Sequence, residues 1–409
     1  MKTERCYPAY TVTPKAEAAI LKGHPWVYAD EIAAAPAPPP ENGAVVDVVS
    51  RKGRYLGSGL LSEASKIRVR LLSRNANDRF DEDFWRRRIQ YAWAYRKAVY
   101  PPEDLACCRV VFGEADGLPG LTVDRFGPLL SVQILSYGME KRRELLARLL
   151  VETLQAGGQA IEGVFLRNDA SLREKEGLAQ GKGWLEVPGL RHPEKAETII
   201  TENGVRYHVD VENGQKTGFF LDQKLNRRRV AQLAKGRRVL DCFTHTGSFA
   251  LNAAFGGAEH VTAVDVSGAA VEMARQNAVL NGLEGRMDFV CADVFDLLPS
   301  LEGRHGYDFI ILDPPAFTKA RKTAANAMRG YKEINYRAMK LLPRGGILAT
   351  ASCSHFATPA MFEAMLAEAA LDAGRQLRQI EARQQAPDHP ILWNVEETNY
   401  LKFYLFQVV

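Results

Sequence analysis

The second half of this 409-residue chain predicts an α/β fold, a parallel sheet with helices on both faces, preceded by a β-rich domain and a small α+β domain. Three observations carry that expectation. From residue 196 onward, strand-like and helix-like stretches alternate. Four of those strands end in an aspartate or are followed closely by one. The turn after the first of them, Cys242-Phe243-Thr244-His245-Thr246-Gly247-Ser248, is a strand-to-helix loop.

At roughly 100–200 residues per domain, the length predicts more than one. Residues 1–75 read as a β-rich domain, with strands at Ala44–Val49 and Ile67–Leu72. Gly53, Gly57 and Gly59 punctuate a turn-rich interval between them. The run from Ala33 to Pro40 reads as a stiff loop inside that module. Residues 80–192 read as an α+β domain. Its elements are helix Phe84–Val99, stopped by Pro101-Pro102, strands Val110–Phe112, Gly120–Asp124 and Leu129–Ile134, helix Glu140–Ala156 and strand Gly163–Arg167. Gly113 to Gly117 reads as a turn.

Residues 196–409 form the third domain. A hairpin over Thr198–Thr201 and Tyr207–Val211 turns at Asn203-Gly204. A helix is expected over Phe220–Ala234, and then the alternation begins. Its strands are Arg238–Phe243, His260–Asp265, Met287–Cys291, Tyr307–Asp313 and Gly346–Ser352. Its helices are Phe249–Phe255, Ala269–Asn281, Val294–Leu301, Ala325–Leu342 and Pro359–Ala373.

Charge is unevenly spread. The chain carries 53 basic and 49 acidic residues, and the whole excess lies in residues 1–79, which hold 12 basic and 8 acidic side chains. That bias fits either an anionic partner for the first module or a solvated basic face. No apolar run approaches the roughly 18 residues of a membrane helix, and the first residues lack a signal pattern. A cytoplasmic protein is expected, with no membrane partner. The six cysteines show no C-x-x-C spacing and no clustering with the eight histidines, so no metal site is expected. Most of the thiols are expected to be small buried apolar groups.

In a parallel sheet Asp241, Asp265, Asp293 and Asp313 all reach the carboxyl edge, where such sheets bind ligands. The loop after Asp241 lacks G-x-G-x-x-G, which argues against a dinucleotide. Asp265 is placed to bond ribose hydroxyls. Asp293 is placed to accept an adenine amino group or to cap a helix. A nucleoside without a pyrophosphate points to S-adenosyl-L-methionine as cofactor.

Asp313-Pro314-Pro315-Ala316-Phe317 resembles the D-P-P-x-F/Y signature of class I S-adenosylmethionine-dependent methyltransferases that act on nucleobases. Pro314 and Pro315 stiffen the loop and remove two N–H donors. An aromatic such as Phe317 suits a base held by stacking. Cys353, in Ser352-Cys353-Ser354, closes the next strand beside Asp313. Carbon 5 of cytosine is a weak nucleophile until a thiolate adds at carbon 6, so a cysteine at that rim points to covalent catalysis. Asp313 can hold the base edge and assist protonation at N3.

The whole chain then resembles the bacterial 23S ribosomal RNA cytosine-C5 methyltransferases with an N-terminal PUA domain. Further stretches carry that likeness: Lys22-Gly23-His24-Pro25-Trp26-Val27, Ser65 to Leu71, Gly214 to Gln223, Arg329-Gly330-Tyr331-Lys332 and Ala386-Pro387-Asp388-His389-Pro390. The resemblance implies a PUA domain over 1–75 that binds structured RNA, and a Rossmann-like class I methyltransferase domain over 196–409. It implies 23S ribosomal RNA as partner, a homodimer as a plausible form, and cytosine as the methylated base. Its catalytic residues are Cys353 and Asp313. Cofactor contacts are implied for Asp241, Phe243, Gly247, Asp265 and Asp293, with Lys216, Phe220 and Asp222 lining the pocket. Pro314, Pro315, Phe317 and His389 fall on the substrate side, although His389 also reads as loop structure. Many relatives carry a second cysteine after the prolines. Ala316 stands there, which leaves the base that removes the C5 proton unassigned.

Two rivals stay open at this level. An exocyclic-amine methyltransferase would use D-P-P-x-F without needing Cys353. A non-catalytic RNA-binding assembly factor would keep the fold and lose the cofactor.

Overall fold

A computed structural model describes residues 5–304, 306–318 and 323–409. The chain divides into two compact units. One comprises Met1–Ile200, Val209–Leu221 and Pro387–Thr398; the other comprises Thr201–His208, Asp222–Ala386 and Asn399–Val409. Among the described residues no helix is long and apolar enough to cross a membrane.

The first unit contains two sheets. A six-stranded sheet uses Ala9–Val12, Trp26–Tyr28, Ile32–Ala34, Val45–Val49, Tyr55–Leu61 and Ile67–Ser73. Val12, Ile20, Val27, Val46, Val48 and Val69 pack its interior. Gly57 and Gly59 lie within a strand and not in a turn, contrary to expectation. At Gly59 a Cβ would meet the carbonyl oxygen of Arg70 at 2.3 Å, so only glycine lets the neighbouring strand approach. An unexpected helix, Pro14–Leu21, is started by Thr13, whose hydroxyl accepts from the Ala16 amide, with proline in its first turn.

A five-stranded sheet follows, built from Cys107–Phe112, Leu121–Phe126, Leu129–Ile134, Gly163–Asn168 and Gly181–Leu185. Helices Glu82–Val99 and Arg143–Ala156 accompany it. The second begins three residues later than expected, after a separate turn at Tyr137–Glu140. There the Arg142 guanidinium donates to the carbonyls of Gly43 and Gly138, which pins the break. Gly113–Asp116 is a 3-10 turn, its Asp116 carboxylate accepting from the Phe112 amide. The hairpin Glu197–Glu202 and Val205–Asp210 turns through Asn203 and Gly204, both at positive φ (55° and 84°).

The second unit is built on one seven-stranded sheet: β1 Arg238–Cys242, β2 His260–Asp265, β3 Met287–Cys291, β4 Phe309–Leu312, β5 Ile347–Ser352, β6 Leu377–Arg383 and β7 Lys402–Val408. The order is β3-β2-β1-β4-β5-β7-β6. β1 to β5 are parallel, and β7 pairs antiparallel with both β5 and β6. The sheet is therefore mixed at one edge, because β7 returns to insert between β5 and β6. Its helices are α1 Lys224–Leu233, α2 Ser248–Phe255, α3 Gly268–Asn281, α4 Val294–Ser300, α5 Ala324–Leu341 and α6 Pro359–Asp372. α1 starts four residues later than the apolar pattern predicts. The Asp222 carbonyl accepts from the Ala386 amide and the Gln223 side chain is drawn to Asp313, so these residues serve other elements.

The cysteines depart from expectation. Cys107, Cys108 and Cys242 are buried, but Cys6 and Cys291 are exposed and Cys353 is half-buried.

Candidate active site

The strand order reverses at β1, whose neighbours are β2 and β4. Carboxyl ends at such a reversal form a crevice. Asp241 lies on β1 and is fully buried. One of its oxygens accepts from the Thr244 hydroxyl (2.6 Å) and the Ala250 amide (2.9 Å). The other, Oδ1, is buried with no hydrogen-bond partner among the described residues. Burial pushes the Asp241 carboxyl up to about 7. The Thr244 and Ala250 bonds oppose that shift, and the charges of Asp313 and Asp265 add to it.

The loop after β1 is tightly wound. Phe243, His245 and Gly247 all hold positive φ (64°, 53° and 85°), and a Cβ on Gly247 would meet Ala274 of α3 at 3.0 Å. Asp265, at the end of β2, holds that loop in place. Its carboxylate accepts from the His245 amide (2.9 Å) and the Ser267 amide (2.9 Å). Buried Asn277 donates to the Thr246 carbonyl and accepts from the His208 amide. Burial lowers the His245 pKa. Asp293 is exposed and caps α4 by accepting from the Phe295 amide (2.8 Å), the capping alternative of the sequence reading.

Asp313 follows β4 directly, and Leu312 pairs with Thr350 of β5. Cys353 follows β5, so the two side chains belong to adjacent strand ends. Gln223 donates to Asp313 Oδ1 at 3.0 Å. Gln223 in turn accepts from Asn226 (2.6 Å), which accepts from Arg383 (2.9 Å). Buried serines flank Cys353. Ser352 donates to the Tyr331 hydroxyl (3.1 Å), and Ser354 donates to the Thr318 carbonyl (2.9 Å) beyond the two prolines. Pro314 is buried and Pro315 exposed. Phe317 packs against Tyr331 (4.6 Å between centroids), Phe295 (5.9 Å) and Phe243 (6.4 Å).

The structure thus brings Asp241, Phe243, Gly247, Asp265, Asp293, Asp313, Phe317 and Cys353 to one edge of one sheet. Asp222 lies in the same unit, buried, accepting from the Tyr400 hydroxyl at 2.7 Å. Lys216, Phe220 and His389 belong to the first unit. Lys216 is exposed, with Nζ 4.7 Å from the Phe220 ring centroid. His389 is buried against Asp388 (2.9 Å) and the Phe112 ring. Sequence reasoning missed Gln223 and Lys402. Gln223 ends the Gly214–Gln223 motif. Lys402 is a buried lysine at the head of an apolar strand, itself a signal.

Comparison with known proteins decides the family. A model described as S-adenosylmethionine-dependent methyltransferase matches residues 188–407, and one described as PUA-like domain matches residues 11–74. The ribosomal RNA large subunit methyltransferase I of Shewanella denitrificans is 42% identical over 95% of this chain and 96% of its own. The protein of that name from Klebsiella pneumoniae is 37% identical over the full length of both. The chain belongs to the ribosomal RNA large subunit methyltransferase I family. Two solved structures share its fold at 21% identity, each covering 98% of this chain and 99% of its own. One is assigned as a SAM-dependent methyltransferase from Streptococcus mutans (TM-score 0.80), and the other is a methyltransferase complexed with SAH (TM-score 0.82).

S-adenosylmethionine is the cofactor of this family. The residues present fit it. The cofactor carries a sulfonium and an amino group, and this rim holds three neighbouring carboxylates, Asp241, Asp265 and Asp313. One oxygen of Asp241 has no protein partner among the described residues.

Proposed function

We propose that this protein methylates carbon 5 of a cytosine in large-subunit (23S) ribosomal RNA, with Cys353 as nucleophile and Asp313 as its partner at the base. The observation that carries this reading is the half-buried thiol of Cys353 on the strand end next to Asp313. The relatives' names supply the RNA class. The loop after β1, with Asp241, Phe243, Gly247, Asp265 and Asp293, holds the cofactor, aided by Asp222; Phe220 and Lys216 are cofactor contacts that the family resemblance implies.

S-adenosylmethionine, when bound, supplies an electrophilic methyl group and leaves as S-adenosylhomocysteine. The Cys353 thiolate adds to carbon 6 while Asp313 holds the base edge and assists protonation at N3. Gln223 fixes the carboxylate for that task. Carbon 5, now enamine-like, takes the methyl group. Loss of the C5 proton returns its electron pair to the ring, restores the 5,6 double bond and expels the thiolate. The balance is one methyl gained, one proton released and the enzyme regenerated. Pro314 and Pro315 keep the loop stiff, with Phe317 on the substrate side; the family resemblance implies a substrate-side place for His389 as well. The target base must leave its stack to reach this rim. The module over 1–75 binds structured RNA. The reading takes the protein as cytoplasmic, with a homodimer as the assembly to test.

The test is methyl transfer from labelled S-adenosylmethionine to unmodified large-subunit RNA, followed by digestion to nucleosides. Label in 5-methylcytidine is expected. Label in an N-methylated purine would overturn the reading and favour amine methylation.

A further inference from the structure

Lys402 opens β7 and stands opposite Ser352 of β5, the residue before Cys353. The residue is 5% exposed. The ammonium donates to the carbonyl of Ser354 (2.6 Å) and to that of Tyr400 (2.8 Å). Among the described residues no carboxylate comes within ion-pair distance of it.

A buried ammonium satisfied only by carbonyls is costly to keep. A neutral amide or hydroxyl would hold the same two carbonyls without that cost. The charge therefore needs a reason, and the titratable group that acts on Lys402 electrostatically is Cys353. Burial lowers the Lys402 pKa to about 8, and Cys353 opposes that shift.

The turn is fixed from three sides. Tyr331 on α5 receives the Ser352 hydroxyl, the Thr318 carbonyl beyond the prolines receives Ser354, and Lys402 on β7 grips the Ser354 carbonyl. Among the described residues, Lys402 from β7 and Tyr331 from α5 act electrostatically with Cys353, Asp313 lies at the neighbouring strand end, and His355 follows on the same turn. The phenol of Tyr331 is pushed up to about 12 by burial, so it stays neutral near pH 7 and adds no negative charge. Asp313 favours the neutral thiol, and the ammonium of Lys402 opposes it.

We propose that Lys402 is the positioning residue for Cys353: its two carbonyl bonds fix the 352–354 turn, and its charge favours the thiolate over the thiol. The proposal deepens the preceding section and rests on its assignment of Cys353 as nucleophile.

The experiment is alkylation of the full-length protein by iodoacetamide across pH, read on the peptide that carries Cys353. That readout separates it from exposed Cys6 and Cys291. The wild-type half-point is expected below the ordinary thiol value of about 8.5. Lys402→Met is expected to raise the half-point and slow alkylation near pH 7 by about tenfold. Lys402→Arg, which keeps the charge, is expected to retain most of the wild-type profile. A wild-type half-point at or above about 8.5 would overturn the proposal, and needs no variant. So would a Lys402→Met profile that superimposes on wild type in protein that still binds cofactor. Methyl transfer that survives Cys353→Ala would instead overturn the nucleophile assignment, whatever the alkylation profile, so the two failures are told apart.

Discussion

Buried charges are treated differently in two places of this molecule. In the first unit most are matched, with Arg125 an exception, held by the carbonyls of Gly127 and Leu105 and the side-chain oxygen of Gln159. Arg70 meets Glu176 through two bonds (2.7 and 3.3 Å), and Ser62 adds a third to the same carboxylate. Arg109 grips both oxygens of Asp124 at 2.7 Å. Arg96 pairs with Asp116 at 2.5 Å. The second unit has its own example in Arg227 and Glu202, bonded at 2.6 and 2.8 Å. At the carboxyl edge of the seven-stranded sheet two unmatched groups share one rim. Asp241 keeps an orphaned oxygen, and Lys402 lies buried with carbonyls only. Pairing is the usual arrangement for a buried charge that serves the fold. Two unmatched groups with perturbed pKa values on one sheet edge point to a place where a ligand or a reacting group completes the set.

That contrast can be broken or sharpened by mutation. The largest effect is expected at Cys353. Cys353→Ala should lower methyl transfer by about a thousandfold or more, with cofactor affinity within about twofold of wild type. Labelled transfer and equilibrium binding measure the two separately. Next comes the paired side of the comparison. Glu176→Gln leaves Arg70 buried without a counter-charge and should cost about 3 kcal/mol of stability, read by denaturant unfolding, with cofactor affinity unchanged. A large change in cofactor affinity there would blur the distinction.

Asp241 gives a smaller, pH-dependent effect. Its folded pKa, about 7, lies above the unfolded value of about 3.9, so the native state holds the proton more tightly. Its contribution to stability is therefore present at low pH and declines as pH rises from about 4 to about 7. A cationic cofactor prefers the ionised carboxylate, so affinity should rise by up to about tenfold per pH unit below 7 and level off above it. Asp241→Asn should flatten both slopes, seen by calorimetry and cofactor titration. The smallest effect is expected at the exposed network of Glu82, Arg86, Arg148 and Glu152. Glu82→Gln should leave the melting temperature and activity unchanged within error.

Much of the sheet was legible because its strands are short apolar runs that end in aspartates or turns. β2 and β3 match their expected bounds to the residue. Asp313 falls just past β4 because Pro314 has no N–H to continue the ladder. What could not be read was which lone pairs the backbone would take. Asp265, expected on a ribose, also accepts one backbone amide at each oxygen, from the His245 and Ser267 loops. Asp293 is engaged as a cap. The side chains that hold Asp313 and the 352–354 turn come from far along the chain: Gln223 reaches Asp313 across 90 positions, and Lys402 reaches Ser354 across 48. No local pattern encodes such pairs. The antiparallel return of β7, which delivers Lys402, follows from pairing geometry and not from periodicity.

The most direct trial of covalent catalysis is trapping on large-subunit RNA that carries 5-fluorocytidine. Fluorine at carbon 5 leaves no proton to lose, so the thiolate cannot be expelled after methyl transfer. A denaturation-stable protein–RNA adduct, dependent on S-adenosylmethionine and mapped to the Cys353 peptide, is the predicted result. Efficient methylation of ordinary cytosine RNA with no adduct on the fluorinated RNA, or an adduct that persists in Cys353→Ala, would contradict it.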